Sequence, residues 1–140
     1  MTKGVTVIID GLQHGVEAEA ITFTAPGVYH HHNGKHYILY DEITEGEKGI
    51  TKNTIKIASN KIDMIKIGVH TTQMVFDLNE TTDVCYQTPY GNLLLRIHTT
   101  GIQVVENLDE IQVKLEYTLS TEDNHLSDNL ISILICSKSK

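Results

Sequence analysis

Tryptophan is missing from this 140-residue chain, and phenylalanine, proline and cysteine occur twice each. Arginine occurs once, as Arg96, beside ten lysines, and alanine only four times. Each scarcity removes a class of function. Arginine is the side chain that reads phosphates and guanine through paired bonds, so one arginine in a chain of net charge −7 argues against a nucleic-acid surface. The same charge lacks the polybasic cluster that favours anionic membranes. No apolar run approaches the ~20 residues of a spanning helix. The opening stretch, MTKGVTVIIDGLQ, lacks the continuous apolar segment of a secretory signal, so the expected location is cytoplasmic. Cys85 and Cys136 are distant from one another, with no CxxC spacing, and read as buried reduced thiols rather than a disulfide or a metal site.

What the chain has in quantity is β-branching: 17 Ile, 16 Thr and 10 Val. Such side chains lose rotamer freedom in a helix and suit a pleated surface. Their order is period two rather than 3.6. In IQVKLEYTL, Ile111, Val113, Leu115, Tyr117 and Leu119 alternate with Gln112, Lys114, Glu116 and Thr118. In NLLLRIHTT, Leu93, Leu95, Ile97 and Thr99 oppose Arg96, His98 and Thr100. Further strands are expected at Val5–Leu12, Ala18–Ala25, Gly27–His32, Lys35–Glu42, Asn53–Ala58, Ile62–His70, Thr72–Leu78, Val84–Thr88, Ile102–Glu106 and Leu130–Ser137. Turn residues separate them at Asn33-Gly34, Ser59-Asn60, Pro89-Tyr90-Gly91, Asn107 to Glu110 and Ser120 to Asn129. Slips of phase at Ala20-Ile21 and Met64-Ile65 suggest bulges.

Tight links between so many short strands imply hairpins, and a sheet of that size hides its edges by closing. The expectation is an all-β chain: one domain over residues 1–140, a single antiparallel meandering β-barrel of about ten to twelve strands, with a sandwich as the alternative.

Four of the eight histidines fall within GVYHHHNGKHYILY, residues 27–40. A two-residue type I′ turn at Asn33-Gly34 sets His32 opposite Lys35, His31 opposite His36 and His30 opposite Tyr37. Neighbours along a strand point to opposite faces, so the run cannot give three imidazoles to one ion. His31 and His36 share a face, but two ligands make a weak site, and no metal or cofactor is expected. Asp123, His125 and Asp128 read as solvent-facing groups in a loop, and Asp41, Glu42, Glu45 and Glu47 as a solvated acidic tip. No GxSxG, P-loop, HExxH or dinucleotide fingerprint is present.

Several segments in one order resemble the YwiB-like family of bacterial proteins. They are Gly27-x-Tyr29, Tyr37-x-x-Tyr40-x-Glu42, Lys56 between Ile55 and Ile57, and Lys66-x-Gly68, where the family tends to have Arg before the Gly. Met74-x-Phe76, Tyr86-x-Thr88-Pro89-Tyr90-Gly91, Thr99, Tyr117 and the closing LISILI follow. The resemblance spans nearly the whole chain and implies a calycin-type, lipocalin-like barrel. It implies no activity, and the histidine run lies outside it.

About eight strands leave room for side chains or one small ligand, and more strands leave more room. The expectation is a non-enzymatic binder of a small, partly apolar molecule, acting as monomer or homodimer without nucleic-acid or membrane partners. Its candidate pocket residues are Tyr37, Tyr40, Glu42, Lys56, Lys66, Met74, Tyr86 and Thr88. The alternatives are a solid-core interaction or oligomerisation module and, third, an enzyme whose site is assembled from scattered strands.

Overall fold

Asn33 and Gly34 adopt φ of 52° and 75°, the left-handed pair that a type I′ turn requires and that Asn-Gly accommodates at least cost. The turn fixes the ladder on either side of it: His32 pairs with Lys35, His31 with His36 and His30 with Tyr37. The same logic, hairpin after hairpin, builds the molecule. The computed structural model describes residues 1–14, 21–43, 49–68, 71–88, 91–122 and 124–138.

Ten strands form one antiparallel sheet: β1 (Gly4–His14), β2 (Ile21–His32), β3 (Lys35–Glu42), β4 (Thr51–Ile57), β5 (Lys61–Ile67), β6 (Thr72–Asp77), β7 (Thr82–Thr88), β8 (Gly91–Glu106), β9 (Glu110–Ser120) and β10 (His125–Ser137). Their order, β6-β5-β4-β3-β2-β1-β10-β9-β8-β7, is a meander whose first and last strands meet by pairing β1 with β10. The ends of the sheet, β6 and β7, come together at a short turn where Asp77 bridges Glu80 and the Thr82 hydroxyl donates to the Val75 carbonyl. The sheet is thereby nearly closed into a barrel. No helix among the described residues is long and apolar enough to cross a membrane.

Two departures from the sequence reading reduce twelve expected strands to ten. The described part of Ala18–Ala25, from Ile21 on, and Gly27–His32 belong to one strand that runs through Pro26. The β3 ladder reaches only as far as Gly27, so Pro26 lies where β2 is an edge on that side, a position that tolerates a missing N–H. NLLLRIHTT and Ile102–Glu106 likewise belong to one strand, β8, with a register shift between Thr99 and Gly101. The extra residue reverses the phase, so Thr99 and Ile102 both face inward. A second shift, between His125 and Ser127, lets β10 begin five residues before the expected Leu130. The expected bulge at Met64-Ile65 is absent: Ile55 pairs with Met64 and Thr54 with Ile65 in unbroken register. The second expected bulge, at Ala20-Ile21, lies outside the described residues.

The core is aliphatic and is drawn from every strand's inward phase: Val5 and Val7, Ile38, Ile55 and Ile57, Ile62, Ile97, Ile111, Val113 and Leu115, Ile133 and Ile135 are all buried. Opposite walls touch. The Phe76 ring of β6 lies 4.7 Å from the Tyr117 ring of β9, tilted by 56°. Aromatic pairs in this arrangement are favourable beyond the area they bury. Cys85 corrects another expectation, since it is exposed: it sits one residue from buried Val84 and therefore on the outer face.

The phase of β9 makes a direct test. Leu115 is fully buried, and Glu116 beside it is exposed. Leu115→Ala should cost about 2–5 kcal/mol, from lost transfer energy and the cavity left behind. Glu116→Ala should cost under about 0.5 kcal/mol. Urea melts of the two variants should differ accordingly, and equal losses would contradict the register.

Candidate binding site

The register also decides which polar residues face inward. Through the ladders, Gly27 pairs with Tyr40, Tyr40 with Asn53 and Asn53 with Lys66. By parity these positions form a row across β2 to β5, on the side of the barrel away from the Asn33-Gly34 turn, buried at Tyr40 and Asn53 and exposed at Lys66. Gly27 makes room for it: a Cβ there would stand 2.9 Å from the Leu39 carbonyl oxygen and 3.6 Å from the Cβ of Tyr40. Tyr40 is buried, with its ring 5.5 Å from that of Phe23. Glu42, two residues further along β3, collects the polar neighbours. Lys66 Nζ donates to Glu42 Oε1 at 3.4 Å, and Asn53 Nδ2 donates to the same oxygen at 3.4 Å and to the Thr51 carbonyl at 3.4 Å.

Asn53 is only 3% exposed, and its Oδ1 is buried without a hydrogen-bond partner among the described residues. A buried amide carbonyl with no donor is costly. Burial pushes the Tyr40 phenol up to about 12, and the nearby Glu42 carboxylate adds to the shift. The phenol therefore stays protonated and acts as a donor rather than a nucleophile.

Three of the eight expected pocket residues, Tyr40, Glu42 and Lys66, thus share one place. Met74 packs against the core on the neighbouring strand β6, where it pairs with Met64. Tyr37 and Lys56 are elsewhere: they pair with each other on the outer face, with Lys56 Nζ 5.9 Å from the Tyr37 ring centre. That is a surface cation–π contact, which leaves Lys56 facing water. The side chains of Tyr86 and Thr88 lie outside the described residues.

A second polar group was not expected. His36 is buried, not incidental: its Nδ1 lies 2.6 Å from the Tyr29 hydroxyl and its Nε2 2.5 Å from Glu106 Oε1. His31 stacks beside it with ring centres 5.0 Å apart. Burial raises the Tyr29 phenol, and the Glu106 charge raises it further. The sequence places His31, His36 and Tyr29 on one face, but Glu106 reaches them only because the β8 bulge turns it inward. Among the described residues no cluster of three or more His, Cys, Asp or Glu is placed to hold a metal. Of the expected loop groups, His125 and Asp128 lie on β10 with Nε2 and Oδ1 2.7 Å apart on the surface, and Asp123 is outside the described residues.

A family model described as "Domain of unknown function (DUF1934)" matches residues 6–133. Among solved structures, that of the ywiB protein from Bacillus subtilis is similar over 98% of this chain and 93% of that one, with a TM-score of 0.82 and 18% sequence identity. Identity that low speaks for the fold. Among curated proteins none matches.

The Tyr40 shift gives a signed pH dependence. The phenol ionises at about 10 in the unfolded chain and about 12 in the fold, so between those values the unfolded chain has lost a proton that the folded chain keeps. Stability held below about pH 10 should fall as pH rises through that window, by roughly 2–3 kcal/mol for a two-unit shift. In alkaline urea melts, Tyr40→Phe should flatten the decline, with the part due to Tyr29 remaining. An unchanged slope would mean that Tyr40 is hydrated.

Proposed function

This chain belongs to the DUF1934 family, and we propose that it is a non-enzymatic binder of a small, partly apolar molecule held in the barrel interior by Tyr40, Glu42, Asn53 and Lys66. The observation that carries the reading is the unpartnered Oδ1 of Asn53. It is an acceptor on an inward wall, beside a protonated phenol donor and a carboxylate–ammonium pair. Pockets of this kind combine a largely apolar lining with a few polar groups that orient the ligand. Here Phe23 and Met74, both partly buried against the core, supply apolar lining. A ligand with a hydrogen-bond donor for Asn53 and an acceptor for Tyr40 would satisfy both.

Two features favour binding over catalysis. Both shifted phenols, Tyr29 and Tyr40, are moved upward, away from the phenolate that a nucleophile or base would need. Lys66 is already paired with Glu42.

A second reading, a solid-core interaction module, is favoured by the contacts that cross the barrel, Phe76 on Tyr117 and His36 on Glu106. These lie toward the Asn33-Gly34 end and in the middle of the barrel, whereas the Asn53 row lies toward the other end.

Asn53→Leu separates the readings. On the binding reading, solvent extracts of the natively purified protein should yield a small molecule in near-stoichiometric amount, and the variant should lose it. The ligand-free variant should melt close to the ligand-free parent, because the unsatisfied carbonyl it removes offsets the two long Nδ2 contacts it loses. Extracts empty in both would leave the solid-core module.

A further inference from the structure

At the Asn33-Gly34 end the barrel opens into a cleft of about 490 Å³, lined by His36, Ile57 and Val104 with Lys35, Ser59 and Glu106. That volume lies within the range of ordinary small-ligand sites. The cleft is independent of the Asn53 row. Its floor is apolar, with Ile57 fully buried and Val104 packed against the core.

Glu106 brings the charge. Its side chain is 58% exposed, and His36 is its ion-pair partner among the described residues. His36 is a positioning residue. Its Nδ1 lies 2.6 Å from the Tyr29 hydroxyl, which its raised pKa keeps protonated, and its Nε2 lies 2.5 Å from Glu106 Oε1. These contacts occupy both imidazole nitrogens and hold the carboxylate at the wall. The buried imidazole thus orients the carboxylate, which stays more than half exposed at the cleft wall. Lys35, at the rim, makes no ion pair with it among the described residues.

We propose that this cleft is a second binding site, one for a small organic cation: an ammonium group on a short apolar body. The ammonium would meet Glu106 through a charge-assisted hydrogen bond, and the body would lie against Val104 and Ala58, with Ile57 packed beneath them. A molecule of the opposite charge would meet the same carboxylate unfavourably. The chain's net charge of −7 would draw cations toward it without selecting a site.

The test is an NMR titration of the isotopically labelled full chain with n-butylammonium chloride at constant ionic strength, following the His36 imidazole and the Val104 methyls. Saturable shifts are expected at these residues. n-Butanol, of the same shape without the charge, should bind about tenfold more weakly or less. Glu106→Gln keeps an acceptor for His36 and should weaken butylammonium by a similar factor. Lys35→Gln, a change at an exposed residue, should tighten it about twofold by removing a competing cation. Butanol binding as tightly as butylammonium, an unchanged affinity in Glu106→Gln, or shifts that spread over the acidic surface without saturating would each overturn the proposal.

Discussion

Parity is the constraint on which this molecule depends. In an antiparallel ladder successive side chains alternate between faces, so a one-residue change in register exchanges core for solvent along a whole strand. Nine ladders here keep the inward phase aligned, from Val5 and Val7 on β1 to Ile133 and Ile135 on β10. β8 breaks parity once, between Thr99 and Gly101. Upstream of that point the odd residues Leu95, Ile97 and Thr99 are buried, and downstream the even residues Ile102, Val104 and Glu106 turn inward. Without the bulge, Glu106 would point away from His36, which would be a buried imidazole with one hydrogen-bond partner.

The two ends of the barrel solve the problem of burying polar groups differently. At the Asn33-Gly34 end, Tyr29, His36 and Glu106 form a chain in which each donor has an acceptor. Satisfied networks of this sort fix side-chain geometry in a medium of low dielectric. Toward the other end, Tyr40, Asn53, Glu42 and Lys66 are linked by longer contacts of 3.4 Å, and the Asn53 carbonyl has no donor. In the first, both imidazole nitrogens have partners. The second leaves an acceptor with no partner among the described residues.

Much of the fold is legible in the sequence because its evidence is local. Alternation gives Leu115 and Glu116 their faces, Asn-Gly gives the hairpin register, and β-branching excludes helices. Long-range evidence is where reading fails. Pro26 reads as a strand break because its tolerance depends on how far the β3 ladder extends. Ile65 and Ile67 read as a bulge because apolar residues fall on the outer face of β5, where Ile67 is exposed. Tyr37, Tyr40, Glu42 and Lys56 are close in sequence, but only parity separates the inward pair from the outward one. His36 is the sharpest case. Its partner Glu106 lies 70 residues away, and the one local signal, a strand that changes phase at Thr100-Gly101, reads as a break between two strands.

On the proposed function, one end of the barrel interior holds a molecule that the chain does not supply. The most direct measurement is a high-resolution crystal structure of protein purified from cells without unfolding, read at Asn53. The account predicts non-protein density larger than a water, about 3 Å from Asn53 Oδ1 and bounded by Tyr40, Glu42 and Lys66. An Asn53 carbonyl bonded to a protein donor, in a layer filled by the chain's own side chains, would contradict it.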